Sequence, residues 1–214
     1  MLTVVVPTLW KFPPFPDFLS KILNNPNVHQ VILVNNSIEH TPSHPVIDHP
    51  RLKMLDFGRN IFVNPSWNTG VYHSETELVC IANDDIIFDL KLFDLVIEAY
   101  QPHMGCVGLH GACSSQGQAW LEPHQQQPCF GFGQLMFVYQ RNWVDIPPEL
   151  LVFFGDNWIF DTHKKTCGTN FLISNLTYHT PHAQSTQKEA WRLAHERSIY
   201  LRLTEAHQIH RWHE

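Results

Sequence analysis

The sequence predicts an α/β fold: a central, mostly parallel mixed β-sheet flanked by helices, built as a single Rossmann-like domain. Three observations carry this. Strand-like and helix-like segments alternate through the first hundred residues, the pattern of a parallel sheet with helices on its faces. The apolar run Leu78-Val79-Cys80-Ile81-Ala82, rich in β-branched residues, has the character of a strand buried on both sides. In the second half, short strand-like segments are separated by long polar stretches, which predicts a different and more variable half sharing the same sheet.

Along the chain, Leu2–Val6 is the first strand and the proline-rich Phe12–Pro16 a loop. Asp17 is expected to cap a helix running to about Asn24, with Pro26 beyond its end. Gln30–Val34 is the second strand, closed by the turn formers Asn35, Asn36 and Ser37. A polar loop from Glu39 to Pro50 leads to a short strand, Arg51–Asp56. Pro65 suits the first position of a helix reaching about Glu75. Leu78–Ala82 is the fourth strand, and Leu90–Tyr100 a helix. Further on, Gly105–His110, Gln134–Tyr139 and Thr169–Ile173 have strand character, with Trp120, Trp143 and Trp158 in the polar stretches between. Gln187 to about Ala206 is a long amphipathic helix. Residues 1–100 thus have the look of a nucleotide-binding half and residues 101–214 that of a variable, aromatic-lined half of one domain.

Composition excludes several classes. A chain of 214 residues that is 43% apolar can bury a real core. Its net charge of −6 argues against coating nucleic acid, which calls for a basic face. No segment approaches the roughly 18 apolar residues of a membrane span. Met1–Pro7 lacks a basic region before its apolar run, so it is taken as a strand and not a signal peptide. A cytoplasmic protein is expected, either a complete enzyme or a domain of a longer polypeptide. Cys80, Cys106, Cys113, Cys129 and Cys167 contain no CxxC pair and are expected to be reduced. The sequons at Asn35 and Asn175 are discounted without a secretory signal. Of the 15 histidines, His207, His210 and His213 are expected to lie in a frayed polar tail.

The chemistry centres on Asn83-Asp84-Asp85, three polar residues between Ala82 and the apolar Ile86-Ile87-Phe88. Buried carboxylates are rare unless paired or bound to metal. A strand ending near residue 82 would present two acids at the carboxyl edge of the sheet, where ligands of open α/β sheets collect. There they suit a hard divalent cation facing a phosphate. A solvated turn, or a cap for the helix near residue 90, accounts for them equally well. The strand-two exit at Asn36 and Ser37, and Thr8 after strand one, carry side chains able to bond a base or ribose, but are also ordinary turn formers. Arg59, Asn60 and Asn68 flank the start of a helix whose first N–H groups would favour an anion. Gly70 inside that helix costs about 1 kcal/mol relative to alanine, so it marks close packing or a ligand. Asp156, after Phe153-Phe154-Gly155, is either a general base in an apolar pocket or a helix cap. Trp120 and Trp158 could stack on a sugar. His179 or His182 could complete a metal shell, though loop histidines are commonly plain surface.

Taken in order, Val4-Val5-Val6-Pro7-Thr8, Val31 to Ser37, Asn60, Asn68-x-Gly70, Ile81-Ala82-Asn83-Asp84-Asp85-Ile86, Gly155-Asp156 and His182 resemble the GT-A fold of nucleotide-sugar glycosyltransferases of the small family-2-like kind. The set spans Thr3 to about Thr186 and is more specifically similar to the compact glycosyltransferase domain of large algal viruses that decorates capsid glycans. The resemblance implies a UDP-sugar or similar donor, a glycan or glycoprotein acceptor, and Mn²⁺ or Mg²⁺. For a viral protein it implies the host cytoplasm. It places Thr8, Asn36 and Ser37 at the nucleoside and Asp84 near the ribose or donor sugar. Asp85 would bind the metal with His182 (or His179) as the distant ligand, and Asp156 would face the acceptor or anomeric carbon. Two departures stand out: Asn83 replaces the first acid of a DxD motif, and Asn35 or Asn36 replaces the acid after strand two. A base in line with the acceptor would give inversion, and a carboxylate on the donor's other face retention.

Two rival functions remain. A nucleotidyltransferase also sets acids at a strand end, but would want a glycine-rich loop after strand one, and Thr8-Leu9-Trp10-Lys11-Phe12-Pro13-Pro14 has no glycine. A non-catalytic carbohydrate-binding module is suggested by the seven tryptophans.

Overall fold

The computed structural model describes residues 1–38, 44–110, 118–125, 131–180 and 189–212. The strands are β1 (Leu2–Thr8), β2 (Val28–Asn35), β3 (Leu52–Asp56), β4 (Leu78–Ala82), β5 (Ile87–Phe88), β6 (Val107–Leu109), β7 (Trp120–Pro123), β8 (Leu135–Tyr139), β9 (Phe171–Ser174) and β10 (Tyr178–His179). The helices are α1 (Phe15–Asn24), α2 (Val63–Tyr72), α3 (Leu92–Ala99), α4 (Gly155–Cys167) and α5 (Ala190–Ala206).

Eight strands form one sheet in the order β3-β2-β1-β4-β8-β6-β9-β7. The pairs β3–β2, β2–β1, β1–β4 and β6–β9 are parallel, and β8 and β7 run against their neighbours. The expected mostly parallel mixed sheet is therefore present and spans both halves of the chain. All seven residues of β1 are buried, as a central strand requires. Successive side chains alternate between faces. Val4 and Val6 join the core that holds Leu19 and Ile22 of α1 and Phe93 and Val96 of α3. Val5 points the other way, to the core that holds Trp67 of α2, Ile159 of α4 and Tyr200 of α5.

Several local expectations need correction. Asp17 lies in the first turn of α1, and the cap position is Pro14, with no side-chain cap and Pro16 in the first turn. Pro65 is the third residue of α2, not the first, and the helix stops at Tyr72, three residues short. A small antiparallel pair of β5 and β10, strand β7 and helix α4 were not expected as such; β5 and β10 are two residues long, too short for a periodic signal. The tail is docked, not frayed: the Trp212 N–H donates to Asp161 (2.7 Å), and Lys165 Nζ donates to the His207 and Gln208 carbonyls (3.0 and 3.3 Å). Helix α5 buries Glu196, Tyr200 and Thr204, so its inward stripe is largely polar where an amphipathic helix would be apolar. Cys80 and Cys106 are buried and, like Cys167, stand as thiols outside any disulfide; Cys113, Cys129 and His213 lie outside the described residues.

Gly70 has a packing reason. A Cβ there would lie 2.1 Å from Val5 Cγ1, so only glycine lets α2 lie this close to β1.

Candidate active site

Parallel strands β1, β2 and β4 end side by side, and the chain leaves each at the same edge of the sheet. Their exits supply Thr8, Asn36 and Asn83-Asp84-Asp85 to a cleft of about 770 Å³. That volume suits a ligand of small-molecule size, for which pockets run to roughly 300–1,000 Å³. The two acids are half-buried, and Thr8 Oγ1 donates to Asp84 Oδ2 (2.6 Å), with the Leu9 N–H on the same oxygen (3.3 Å). Burial pushes the Asp84 carboxyl above its usual range, and neighbouring Asp85 adds to this, while the Thr8 and Leu9 bonds pull the other way. The helix-cap alternative for the acids is not realised: Asp89, not Asp84 or Asp85, accepts the Lys91 N–H ahead of α3 (3.0 Å).

The opposite wall is made by α4 and the turn before β8. Asp156 is the second residue of α4, in its first turn; the cap position is Phe154, so the capping alternative for Asp156 is also not realised. Its Oδ2 accepts from the Gly133 N–H (3.2 Å) and its Oδ1 from the Asn157 N–H (3.0 Å), which fixes the carboxylate plane. A Cβ on Gly133 would sit 2.7 Å from Asp156 Cβ, so the close approach requires glycine. Phe62 and Phe154, the residues at the starts of α2 and α4, both adopt left-handed φ (68° and 62°) and both face the cleft. Such backbone is uncommon for a bulky side chain and gathers at functional sites. Buried Asn64 staples the two helix starts: its Nδ2 donates to the Leu150 and Phe153 carbonyls (3.2 and 3.1 Å), and its N–H donates to the Leu151 carbonyl (3.0 Å).

Of the residues expected at the site, Thr8, Asn36, Asn60, Asn83, Asp84, Asp85 and Asp156 all line this cleft. Asn36 is held from both ends, donating to Ser66 Oγ (3.0 Å) and accepting from the Ile61 N–H (2.9 Å). Asn60 Oδ1 accepts the Phe62 N–H (2.8 Å) and so shapes the entrance to α2. Asn68 faces away: it bonds the Ile146 backbone through N–H and carbonyl and accepts from the Trp143 indole (3.2 Å). Ser37 and Arg59 flank the cleft without lining it. Trp158 is buried and donates to the Asp145 carbonyl (3.1 Å), and Trp120 is exposed on β7 at the sheet's far edge, so neither forms a sugar platform in the cleft. His179 is on β10; His182 lies outside the described residues.

Sequence reading missed four contributors. Lys11 is a cation at the cleft, in a loop that carries no motif. Trp67 lines it too; its indole N–H is buried and has no hydrogen-bond partner among the described residues, an arrangement that costs on the order of 1–3 kcal/mol. Glu189 and Leu193 reach the cleft from the distant C-terminal helix. Their signal was present only as residues four apart, which one helical turn brings to the same face.

Asp84 and Asp85 offer hard oxygen donors side by side at the cleft, the kind a divalent cation takes. The donor chemistry therefore fits Mg²⁺ or Mn²⁺ in part. Among the described residues no group of three or more His, Cys, Asp or Glu side chains is arranged to hold a metal, so a cation bound here would need further ligands or water.

No protein-family model and no curated protein sequence matches the chain. Solved structures do. The S. aureus TarS 1–349 structure superposes with a TM-score of 0.57 at 14% identity, over 83% of this chain and 59% of that one. TarS 1–349 in complex with UDP-GlcNAc gives 0.55 at 12%, over 83% and 57%. The mannosyltransferase PcManGT from Pyrobaculum calidifontis, in complex with GDP-Man and Mn²⁺, gives 0.51 at 18%, over 70% and 48%. The chain thus spans less than two thirds of the length of each of these structures. The fold is the GT-A-like α/β fold of glycosyltransferases, as the sequence motifs implied. Among the described residues no helix is long and apolar enough to cross a membrane.

Proposed function

We propose that the protein is a glycosyltransferase that moves a sugar from a nucleoside diphosphate sugar, a UDP-sugar by preference, to a glycan or glycoprotein hydroxyl with the help of Mn²⁺ or Mg²⁺. The observation that carries this is the convergence of Asn83-Asp84-Asp85, Thr8 and Asp156 on one cleft at the carboxyl edge of a GT-A-like sheet. The UDP-GlcNAc and GDP-Man with Mn²⁺ bound by structures of the same fold support it. Residues 1–100 would supply the donor side and residues 101–214 the acceptor side of a single domain. The motif resemblance supports a capsid glycan as acceptor and the cytoplasm, that of the host for a viral protein, as compartment.

The chain's own residues then divide the chemistry. Asp85, with Asp84 and a histidine such as His182, would hold the cation, which when bound neutralises charge on the departing diphosphate. Lys11 supplies positive charge on the same side, with Arg59 close by; the first turn of α2 adds little, since the Phe62 and Asn64 N–H groups are bonded to Asn60 and Leu151 and Pro65 has none. Thr8 keeps the Asp84 carboxylate aimed, and Asn36, Ser37 and Asn60 shape the nucleoside side; Asn68 supports them indirectly through the loop at Ile146. Asp156, oriented by the Gly133 and Asn157 N–H groups, takes the proton of the attacking hydroxyl.

The carbohydrate-module alternative loses support because Trp67 and Trp158 are buried and the indoles of Trp10, Trp143 and Trp158 are bonded internally. Titration calorimetry with UDP, with and without Mn²⁺, tests the reading. Metal-dependent binding that disappears in Asp85→Asn is expected; binding of equal strength with and without Mn²⁺ in the native protein would exclude the metal role.

A further inference from the structure

Helix α5 looks like a polar appendage in sequence, yet it touches both walls of the cleft. Glu196 is 1% exposed, and its Oε2 accepts three consecutive backbone N–H groups, those of Leu151, Val152 and Phe153, at 3.1, 3.0 and 2.8 Å. A buried carboxylate is costly unless bonded, and charge-assisted bonds from backbone N–H groups are among the strong ones; here Oε2 carries them all, while Oε1 makes no hydrogen bond among the described residues. One oxygen therefore pins three successive residues of a segment that has no regular secondary structure of its own. Val152 and Phe153 line the cleft, and the segment runs directly into Phe154, Gly155 and Asp156.

The same helix holds the next residue by its side chain. One turn beyond Glu196, Tyr200 stacks on Phe154 (centroids 5.2 Å apart, planes at 18°), the residue that starts α4 with φ of 62°. The Tyr200 hydroxyl donates to Asp161 of α4. One turn before Glu196, Arg192 bonds Glu189 (2.5 Å), lies 3.9 Å from Glu196 Oε1, and stacks its guanidinium over Phe62 at 4.8 Å. So Arg192, Glu196 and Tyr200, spaced four apart on one helix face, reach the start of α2, the segment before α4 and α4 itself. A Cβ on Gly155 would sit 2.1 Å from Asn64 Oδ1, so the α4 start has little room to drift against α2 without losing its register.

We propose that Glu196 is a positioning residue for transfer: by holding residues 151–153 it sets where α4 begins and thereby aims Asp156 at the reacting hydroxyl. It touches neither substrate nor reacting atoms. The proposal rests on the glycosyltransferase reading for its kinetic consequence, but its structural consequence stands apart.

The test has two arms on the full chain. Amide hydrogen exchange at Leu151, Val152 and Phe153 is compared in native protein, Glu196→Ala and Glu196→Gln. Exchange at least tenfold faster in the alanine variant, with most protection kept by glutamine, which retains an accepting oxygen, is expected. In parallel, Mn²⁺-dependent hydrolysis of UDP-GlcNAc or GDP-mannose, whichever the native protein cleaves, should lose about tenfold or more in kcat in Glu196→Ala. KM and the UDP Kd should stay within about twofold, and Glu196→Gln should restore most of the rate. If the alanine variant does not fold, Glu196→Asp, which draws the carboxylate back by one methylene, carries both arms. Unchanged exchange overturns the proposal. Faster exchange with unchanged kcat, or losses in KM and UDP binding as large as that in kcat, overturns the positioning role. A native protein that neither binds UDP with metal nor cleaves either donor overturns the glycosyltransferase reading, and the exchange arm then decides the structural hold alone.

Discussion

The two walls of the cleft are built in different ways. The wall from residues 1–100 is led by strand tips, with the start of α2 beside them: Thr8, Asn36 and Asp84 sit where β1, β2 and β4 end, and hydrogen bonds in neighbouring register place them. The wall from residues 101–214 consists of helix starts and a segment without regular structure, held from a distance by Asn64, Gly133 and Glu196. On the first wall the location of a side chain follows from where an apolar run stops. On the second it follows from contacts between residues more than 20 positions apart, so it should be the easier wall to disturb without touching the nucleotide.

Asp85→Asn should have the largest effect, since it removes a charge the cation needs: Mn²⁺-dependent UDP binding and donor cleavage should fall by more than about a hundredfold. Equal affinity in the variant would shift the metal role to other residues. Asp156→Asn should divide the walls most cleanly. Loss of a general base typically costs roughly 10²–10⁴ in rate, and kcat should fall in that range while UDP binding stays within about twofold. A parallel loss of UDP affinity would place Asp156 on the donor side and erase the contrast.

Gly70→Ala probes the first wall's support. Its Cβ meets Val5 at 2.1 Å, so overpacking should cost about 1–3 kcal/mol in urea denaturation; a neutral substitution would show that α2 can lift from β1. His163, fully buried on α4, probes the second wall by pH. Burial pushes its pKa down to about 4 from 6.5. Between those values the unfolded chain takes up a proton that the folded one excludes, so stability is lost as pH falls from 6.5 towards 4, by about 3 kcal/mol at most. His163→Leu should flatten that part of the stability curve, and an unchanged slope would assign it to other groups. Trp67→Phe should have the smallest effect, about a tenfold loss or less in donor affinity, the worth of one hydrogen bond; tighter binding would show that the indole N–H gains no partner from the ligand.

The contrast also explains what was legible in the sequence. The strands of the first half, the mostly parallel sheet and the acid pair at the tip of β4 followed from β-branched runs and the residues that end them. Asn68 was misplaced because the same asparagine, read locally, suits a ligand or a loop; only the fold brings Ile146 and Trp143 to it. Trp158 looked like an exposed aromatic because α4 has only a short apolar stretch, Trp158 to Phe160, before turning polar. Glu196 carried no local sign of its role, since its partners lie more than 40 residues back and are backbone groups.

The central claim, a metal-dependent transferase acting on nucleotide sugars, is tested most directly by slow transfer to water. A panel of nucleotide sugars incubated with the protein and Mn²⁺ should release free sugar and nucleoside diphosphate from at least one member, and none with EDTA or in Asp85→Asn. Release of pyrophosphate from a nucleoside triphosphate, or glycan binding with no cleavage and no dependence on metal or nucleotide, would contradict it.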